Sequence, residues 1–276
     1  MKQSIHIKGT VFSLETPRVM GILNVTPDSF SDGGKYRSVD AALLQAKKMI
    51  AEGVDIIDVG GYSSRPGAAE VSIHEELDRV IPVLERLAAE IDAVLSIDTF
   101  RAVVAKQAIE AGAHIVNDIS AGDDDVTMIP TVAELGVPYI AMHKKGLPQS
   151  MQDNPQYGDV VAEVYDYLKQ KKKQCVDAGI HDVILDLGYG FGKTLEHNYE
   201  LLRRLTEFQE IGAPILTGVS RKSMVFRALG INASEALNGT TFLHAYALQG
   251  GSSILRVHDV KEAVECLKLW KKVNGV

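Results

Sequence analysis

Two cysteines in 276 residues leave little scope for a disulfide framework or a cysteine-bound metal. Cys175 and Cys266 stand far apart, in stretches that read as helix, and are expected to be inert thiols. The N-terminus, MKQSIHIKGTVFSLE, lacks the apolar core of a secretory signal. No apolar run reaches the length of a bilayer-crossing helix. These absences make a cytoplasmic protein the expectation. Lys and Arg (29) are outnumbered by Asp and Glu (36). A net charge of −7 offers no broad surface for nucleic acid, although it leaves room for a small local anion site. The one lysine run, KQKKKQ at Lys169–Gln174, is expected to be a solvated helix face. No Gly-x-Gly-x-x-Gly follows the first strand, which weakens a doubly wound open sheet, and the glycine-rich GYGFGKT lacks the full P-loop spacing, which argues against a nucleoside triphosphate. With no linker or low-complexity tract, residues 1–276 read as one domain.

What is present alternates. Short Val- and Ile-rich runs, each followed by a longer amphipathic stretch, predict strands over 19–25, 55–60, 93–98, 114–117, 139–143, 183–187, 215–219 and 254–258. Helices are predicted over 39–52, 73–90, 101–111, 126–135, 160–178, 199–211, 235–249 and 260–273. Ser38 and Ser72 are plausible N-caps, and Ser72 with Glu75 has capping-box spacing. Gly53, Gly112, Gly136, Gly179 and Gly212 follow predicted helix ends. Eight strands alternating with eight helices imply an α/β fold with parallel strands. The simplest closure is a (β/α)8 TIM barrel, with a doubly wound open sheet as the alternative. A short hairpin over 4–14 would close the barrel bottom.

The active face of such a barrel lies at the C-terminal ends of its strands. Those ends read Asn24, Asp58, Asp98, Asn117 with Asp118, His143, Asp186, Ser220, and Arg256 with His258. Eight hydrogen-bonding ends on one rim point to function. Asp98, Asn117 and Asp186 supply acceptors and an amide, the set needed by a flat heterocycle bearing ring N–H and amino groups. Met142 would add an apolar contact. Each residue alone has a plainer role: Asp98 as a helix cap, Asn117 as a turn tie, Met142 as core, Arg256 as a buried ion-pair partner. Arg221, Lys222, Arg256 and His258 form a basic half beside strands seven and eight, where barrels often hold phosphate. Two long loops rich in Gly, Ser and Pro, 26–37 and 60–71, complete the rim, and Phe191 could pack on an aromatic ligand.

The segments MGILNVTPDSFSDGG, IDVGGYSSRPGA, SIDT, NDIS, MHKKGLPQSMQ, ILDLGYGFGKT, GVSRKS and ILRVHDV together resemble the dihydropteroate synthase family, in family order from residue 20 to 260. The resemblance implies a pterin-binding TIM barrel in folate biosynthesis, a transferase and a sulfonamide target. It would join 6-hydroxymethyl-7,8-dihydropterin pyrophosphate to 4-aminobenzoate. It further implies that Asp98, Asn117, Asp186, Lys222, Met142 and Arg256 bind the pterin. Asn24, Arg256 and His258 would meet the pyrophosphate, with Mg2+ beside Asn24. Phe30, Ser64, Arg65, Pro66, Phe191, Lys222 and Ser223 would form the aminobenzoate site. Asn24, Asp32, Asp98, Lys222, Arg256 and His258 would be the catalytic set, and a homodimer is the family precedent. The chain departs from the commoner pattern at Tyr62, Ser64, Leu187 and Gly251. Two other readings stand beside this one: a folate-dependent methyltransferase module, and a non-catalytic pterin-binding protein.

Overall fold

The structure, a computed structural model, describes residues 4–25, 35–62, 71–146, 151 and 154–275. The chain opens with strands β1 (Ser4–Ile7) and β2 (Thr10–Ser13), paired antiparallel in the register Ser4↔Ser13 to Ile7↔Thr10. Lys8 and Gly9, both at positive φ, make the two-residue turn that such a hairpin favours. Then come β3 (Arg18–Asn24), α1 (Lys35–Glu52), β4 (Ile56–Gly60), α2 (Ile73–Glu90), β5 (Val94–Asp98), α3 (Ala102–Glu110), β6 (Ile115–Asp118), α4 (Met128–Leu135), β7 (Tyr139–Met142) and α5 (Val160–Asp177). The second part holds β8 (Val183–Asp186), α6 (Leu195–Arg203), β9 (Ile215–Thr217), α7 (Ser223–Leu229), α8 (Leu237–Gln249), β10 (Ile254–Val257) and α9 (Val260–Asn274). Strands β3 to β10 form one closed barrel in chain order, with β10 pairing β3 and every pair parallel. The expected barrel, and not the open sheet, is what the chain forms.

Alternation along each strand sorts the apolar residues into two cores. One set, including Val19, Leu23, Ile57, Val59, Leu95, Ile97, Leu185, Leu255 and Val257, packs outward under the helices. The other set, Met20, Ile56, Ile115, Ile140, Ile184, Leu216 and Ile254, fills the lumen and is sealed from below by Ile5, Ile7 and Leu14 of the hairpin. The His6 N–H, donating to Asp182 at 2.8 Å, ties the hairpin to the barrel.

The predicted capping box of Ser72 and Glu75 opens α2. Three helix expectations need correction. Helix α1 begins at Lys35, so Ser38 lies inside it rather than capping it. The stretch expected as one helix over 199–211 is α6, started early by a Thr194 cap, followed by a 3-10 turn at Leu205–Ile211. An extra short helix, α7, follows β9. The lysine run is less solvated than its charge suggests: Lys171 pairs with Asp123, and Lys172 donates to the Ile211 carbonyl at 2.6 Å. Among the described residues no helix is long and apolar enough to cross a membrane.

Candidate active site

The lumen-facing phase that begins with Met20, Ile56, Ile115, Ile140, Ile184 and Ile254 continues upward, two residues at a time, to the barrel mouth. There it delivers Asn24, Asp58, Asp98, Asn117, Met142, Asp186 and Arg256. Gly60 lies between two of these groups. A Cβ there would make ordinary contact with both, 3.6 Å from Asn24 Oδ1 and 3.7 Å from Asp98 Oδ2.

Arg256 is the hub. Its Nε donates to Asp58 Oδ2 and its Nη2 to Asp98 Oδ2, both at 2.7 Å. The Asn117 amide donates to the same Asp58 oxygen at 2.9 Å. Asp98 Oδ1 accepts from the Tyr62 hydroxyl at 3.1 Å. Opposite, Asp186 Oδ1 accepts from the Gly188 N–H at 2.8 Å. Lys222 Nζ donates to the Tyr189 carbonyl at 2.5 Å and lies 4.7 Å from the centre of the Phe191 ring, a cation–π contact. Met142 is buried beside these groups. Asp98 is not a helix cap, since α3 starts behind Arg101 without a side-chain cap.

Burial shapes the proton affinities. It pushes Asp98 up to about 7, with the like charge of Asp58 adding and Arg256 opposing. Asp186 is also raised by burial, against the pull of Lys222. Lys222 is pushed down to about 8 by burial, against the pull of Asp186. The mouth is therefore short of positive charge: three carboxylates (Asp58, Asp98, Asp186) face two cations (Arg256, Lys222).

His258 stands exposed at the rim. Its backbone N–H donates to Ser220 Oγ at 3.1 Å, and its Nδ1 lies 3.1 Å from the same oxygen. Ser223 is half-buried, at the first position of α7 next to Lys222. Phe30, Asp32, Ser64, Arg65 and Pro66 lie outside the described residues.

Not every strand end joins this site. Asp118 points away from the lumen, where its oxygens accept from the N–H and hydroxyl of Ser120, the Gly122 N–H and the Tyr139 hydroxyl. Arg221 turns outward into a two-point pair with Asp259, both contacts at 2.8 Å. His143 is a strut: Lys193 Nζ, 2.9 Å from its Nδ1, also donates to the carbonyls of Gly188 at 2.8 Å and Phe191 at 3.1 Å. That network holds the glycine-rich loop against the barrel so tightly that a Cβ on Gly188 would sit 1.8 Å from the His143 carbonyl oxygen. Three residues of the site or its support, Asp58, Tyr62 and Lys193, had no role assigned from sequence. Asp58 was legible as a strand end in the lumen phase, whereas Tyr62 and Lys193 act through tertiary contacts that no local pattern signals.

Comparison with known proteins gives this geometry a family. The sequence profile described as "Pterin binding enzyme" matches residues 20–258. The chain is 48% identical over 267 residues to the dihydropteroate synthase of Escherichia coli (strain K12), covering 96% of this chain and 94% of that protein. The Yersinia pestis dihydropteroate synthase, solved as a sulfonamide drug complex, superposes with a TM-score of 0.93 at 43% identity, covering 99% of this chain and 100% of that one. The Xanthomonas albilineans dihydropteroate synthase with 4-aminobenzoic acid gives a TM-score of 0.93 at 41% identity, with full coverage of both chains. The fold and the site thus define a pterin-binding enzyme of the TIM-barrel class. Within that class the chain belongs to the dihydropteroate synthase family, whose members are transferases.

Proposed function

We propose that the barrel mouth condenses 6-hydroxymethyl-7,8-dihydropterin pyrophosphate with 4-aminobenzoate, giving 7,8-dihydropteroate and pyrophosphate. The observation that carries this reading is the interlocked set of Asp98, Asp58, Asn117 and Arg256 facing Asp186 and Lys222. Asp98, Asn117 and Asp186 pair with the ring and amino N–H groups of the pterin, and Lys222 meets its ring carbonyl. Met142 lines the ring, and Arg256 packs over it. A ligand lacking those donors leaves buried carboxylates unpaired and is rejected.

The ring's electron-rich nitrogens stabilise a cation at the exocyclic methylene as the C–O bond to pyrophosphate breaks. The carbon then accepts the lone pair of the aminobenzoate nitrogen, and that nitrogen loses a proton to solvent. The aromatic amine is already neutral at pH 7, so no strong base is needed. Catalysis rests on holding the two partners in line and on stabilising the leaving group. Asn24, Arg256 and His258 meet the departing pyrophosphate. Phe191, Lys222 and Ser223 hold the aminobenzoate, together with Phe30, Ser64, Arg65 and Pro66. Asp32 completes the catalytic set.

The donors at Asn24 suit Mg2+. Its amide oxygen and an Asp98 oxygen flank the same glycine, and among the described residues no group of three His, Cys, Asp or Glu forms an all-protein cage. Mg2+ is typically bound by one or two protein oxygens plus substrate phosphates and water. Asn24 would hold it, and it would supply charge neutralisation to the pyrophosphate. We further infer a cytoplasmic location and a homodimer, the dimer supported by the apolar side chains of Phe242, Tyr246, Leu269 and Val273 exposed on α8 and α9. Light scattering at micromolar concentration tests the dimer, which a monomer would remove.

The test of function is product formation. With Mg2+ and both substrates, equal amounts of dihydropteroate and pyrophosphate are expected, sharply reduced in Asp98→Asn. EDTA should stop turnover yet leave the binding of pyrophosphate-free pterin unchanged. Pterin binding without product in folded protein would refute the synthase reading.

A further inference from the structure

Tyr62 lies just past β4, and its hydroxyl reaches the carboxylate that the proposed reaction uses as its first pterin anchor. The two Asp98 oxygens are held from opposite sides, Oδ1 by Tyr62 and Oδ2 by Arg256. With both tethered, the carboxyl plane cannot turn about its Cβ–Cγ bond. Each carboxylate oxygen accepts two hydrogen bonds, so the tyrosine occupies one direction on Oδ1 and leaves the other for a ligand N–H. The tyrosine is itself braced. Its ring meets Phe100 edge-on at 5.2 Å, and the Arg101 guanidinium lies 4.9 Å from the Phe100 ring centre. Arg101 is fixed in turn by Glu76 at 2.5 Å and the Val71 carbonyl at 2.6 Å. A path of packed groups therefore runs from buried Glu76 on α2 to the carboxylate in the mouth.

We propose that Tyr62 is a positioning residue for pterin recognition, fixing the orientation of Asp98 through its hydroxyl so that Oδ1 presents one acceptor direction to a ring N–H. The proposal rests on the reading of Asp98 as a pterin anchor. The tyrosine acts as a donor at all working pH, because burial and the Asp98 charge hold its own pKa well above the ordinary value. Its hydrogen bond also favours the ionised form of Asp98, which Arg256 and Lys222 support and which burial, Asp58 and Glu76 oppose.

Tyr62→Phe removes only the hydroxyl and keeps the ring on Phe100. Binding of 6-hydroxymethylpterin, followed by calorimetry from pH 5.5 to 8, is the measurement. The Tyr62–Asp98 bond is made with and without ligand, so its loss acts through the orientation and ionised fraction of Asp98. An Asp98 moved up by about one pH unit from about 7 gives at least roughly a threefold weakening at pH 7.5, growing in acid. Because the donor favours the charged form, its removal should also move the acid limb of binding about one pH unit higher. Carbon-13 NMR of the Asp98 carboxyl in ligand-free protein should show the same upward move, and unchanged melting would show that the variant is folded. Wild-type affinity and pH profile in Tyr62→Phe, beside loss of binding in Asp98→Asn, would overturn the role of Tyr62 alone. Uniform weakening with an unmoved acid limb would overturn it too, leaving a purely structural tyrosine. Wild-type binding by Asp98→Asn would overturn the pocket reading itself, and the proposal with it.

Discussion

Charge counting around Arg256 gives a test of how the mouth is held together. One guanidinium touches two carboxylates, whose side chains are 0% (Asp58) and 11% (Asp98) exposed. Asp58→Asn removes one anion and leaves Arg256 paired with Asp98, so no charge is orphaned. The cost is one charge-assisted hydrogen bond, about 1.5–3 kcal/mol. Arg256→Met removes the cation and leaves two buried carboxylates facing each other. Breaking a buried pair from that side costs about 3–5 kcal/mol. At about 2 °C per kcal/mol for a chain of this size, Tm should fall by about 3–6 °C and about 6–10 °C respectively at pH 7.5.

The pH dependence sharpens the test. Without the guanidinium, at least one of the two carboxyls stays protonated in the folded state, its pKa further above the unfolded value of about 4. The folded protein then binds more protons than the unfolded one. Stability is lost as pH rises through the raised pKa and regained as pH falls toward the unfolded value. The deficit of Arg256→Met against wild type should therefore be smaller at pH 5.5 than at pH 8. Scanning calorimetry at both pH values reads this directly. An Asp58→Asn loss as large as that of Arg256→Met, or a deficit that does not shrink in acid, would refute the charge count.

Two further expectations separate scaffold from site. Asp118→Ala leaves four donors without their acceptor and should cost about 3 kcal/mol in denaturant unfolding, while pterin affinity of the folded fraction stays within about twofold. Gly251→Ala should lower stability by about 1–2 kcal/mol in the same assay, because Gly251 sits at φ +91° and the Gln209 amide occupies the space a Cβ needs.

The fold was legible because alternation of period two and amphipathic stretches repeat eight times, and each strand core falls within two residues of its expected place. The lumen residues were legible for the same reason, since the phase that buries Ile56 also aims Asp58 and Gly60 upward. Phase also explains the misses. Asn117 and Asp118 are neighbours, but one residue turns a side chain from lumen to helix layer, so one joins the site and the other ties a loop. Arg221 and Lys222 diverge in the same way, with Arg221 at φ +53° drawn outward by Asp259, 38 residues further along the chain. No local pattern encodes that partner. Helix boundaries at α6 and α7 were missed because short helices leave too few turns for periodicity to register.

The deficit of positive charge in the mouth yields a last expectation, with opposite signs on the two sides of neutrality. Asp98, near 7, is largely protonated at pH 6.5, and Lys222, near 8, is already charged there. A pterin N–H donating to Asp98 favours the carboxylate, so binding at pH 6.5 should release roughly half a proton. At pH 8.5 Asp98 is ionised, whereas Lys222 is mostly neutral. A ring carbonyl accepting from Lys222 favours the ammonium, so binding there should take up roughly half a proton. Calorimetric titration of 6-hydroxymethylpterin in buffers of different ionisation enthalpy measures both. The slope of apparent enthalpy against buffer enthalpy should change sign between the two pH values. A slope of the same sign at both would mean that only one of the two groups titrates with the ligand, and Lys222→Met, which should abolish the alkaline uptake alone, identifies which. Zero slope at both would mean that neither Asp98 nor Lys222 touches the pterin, and the carboxylate-rich mouth would then serve some other ligand.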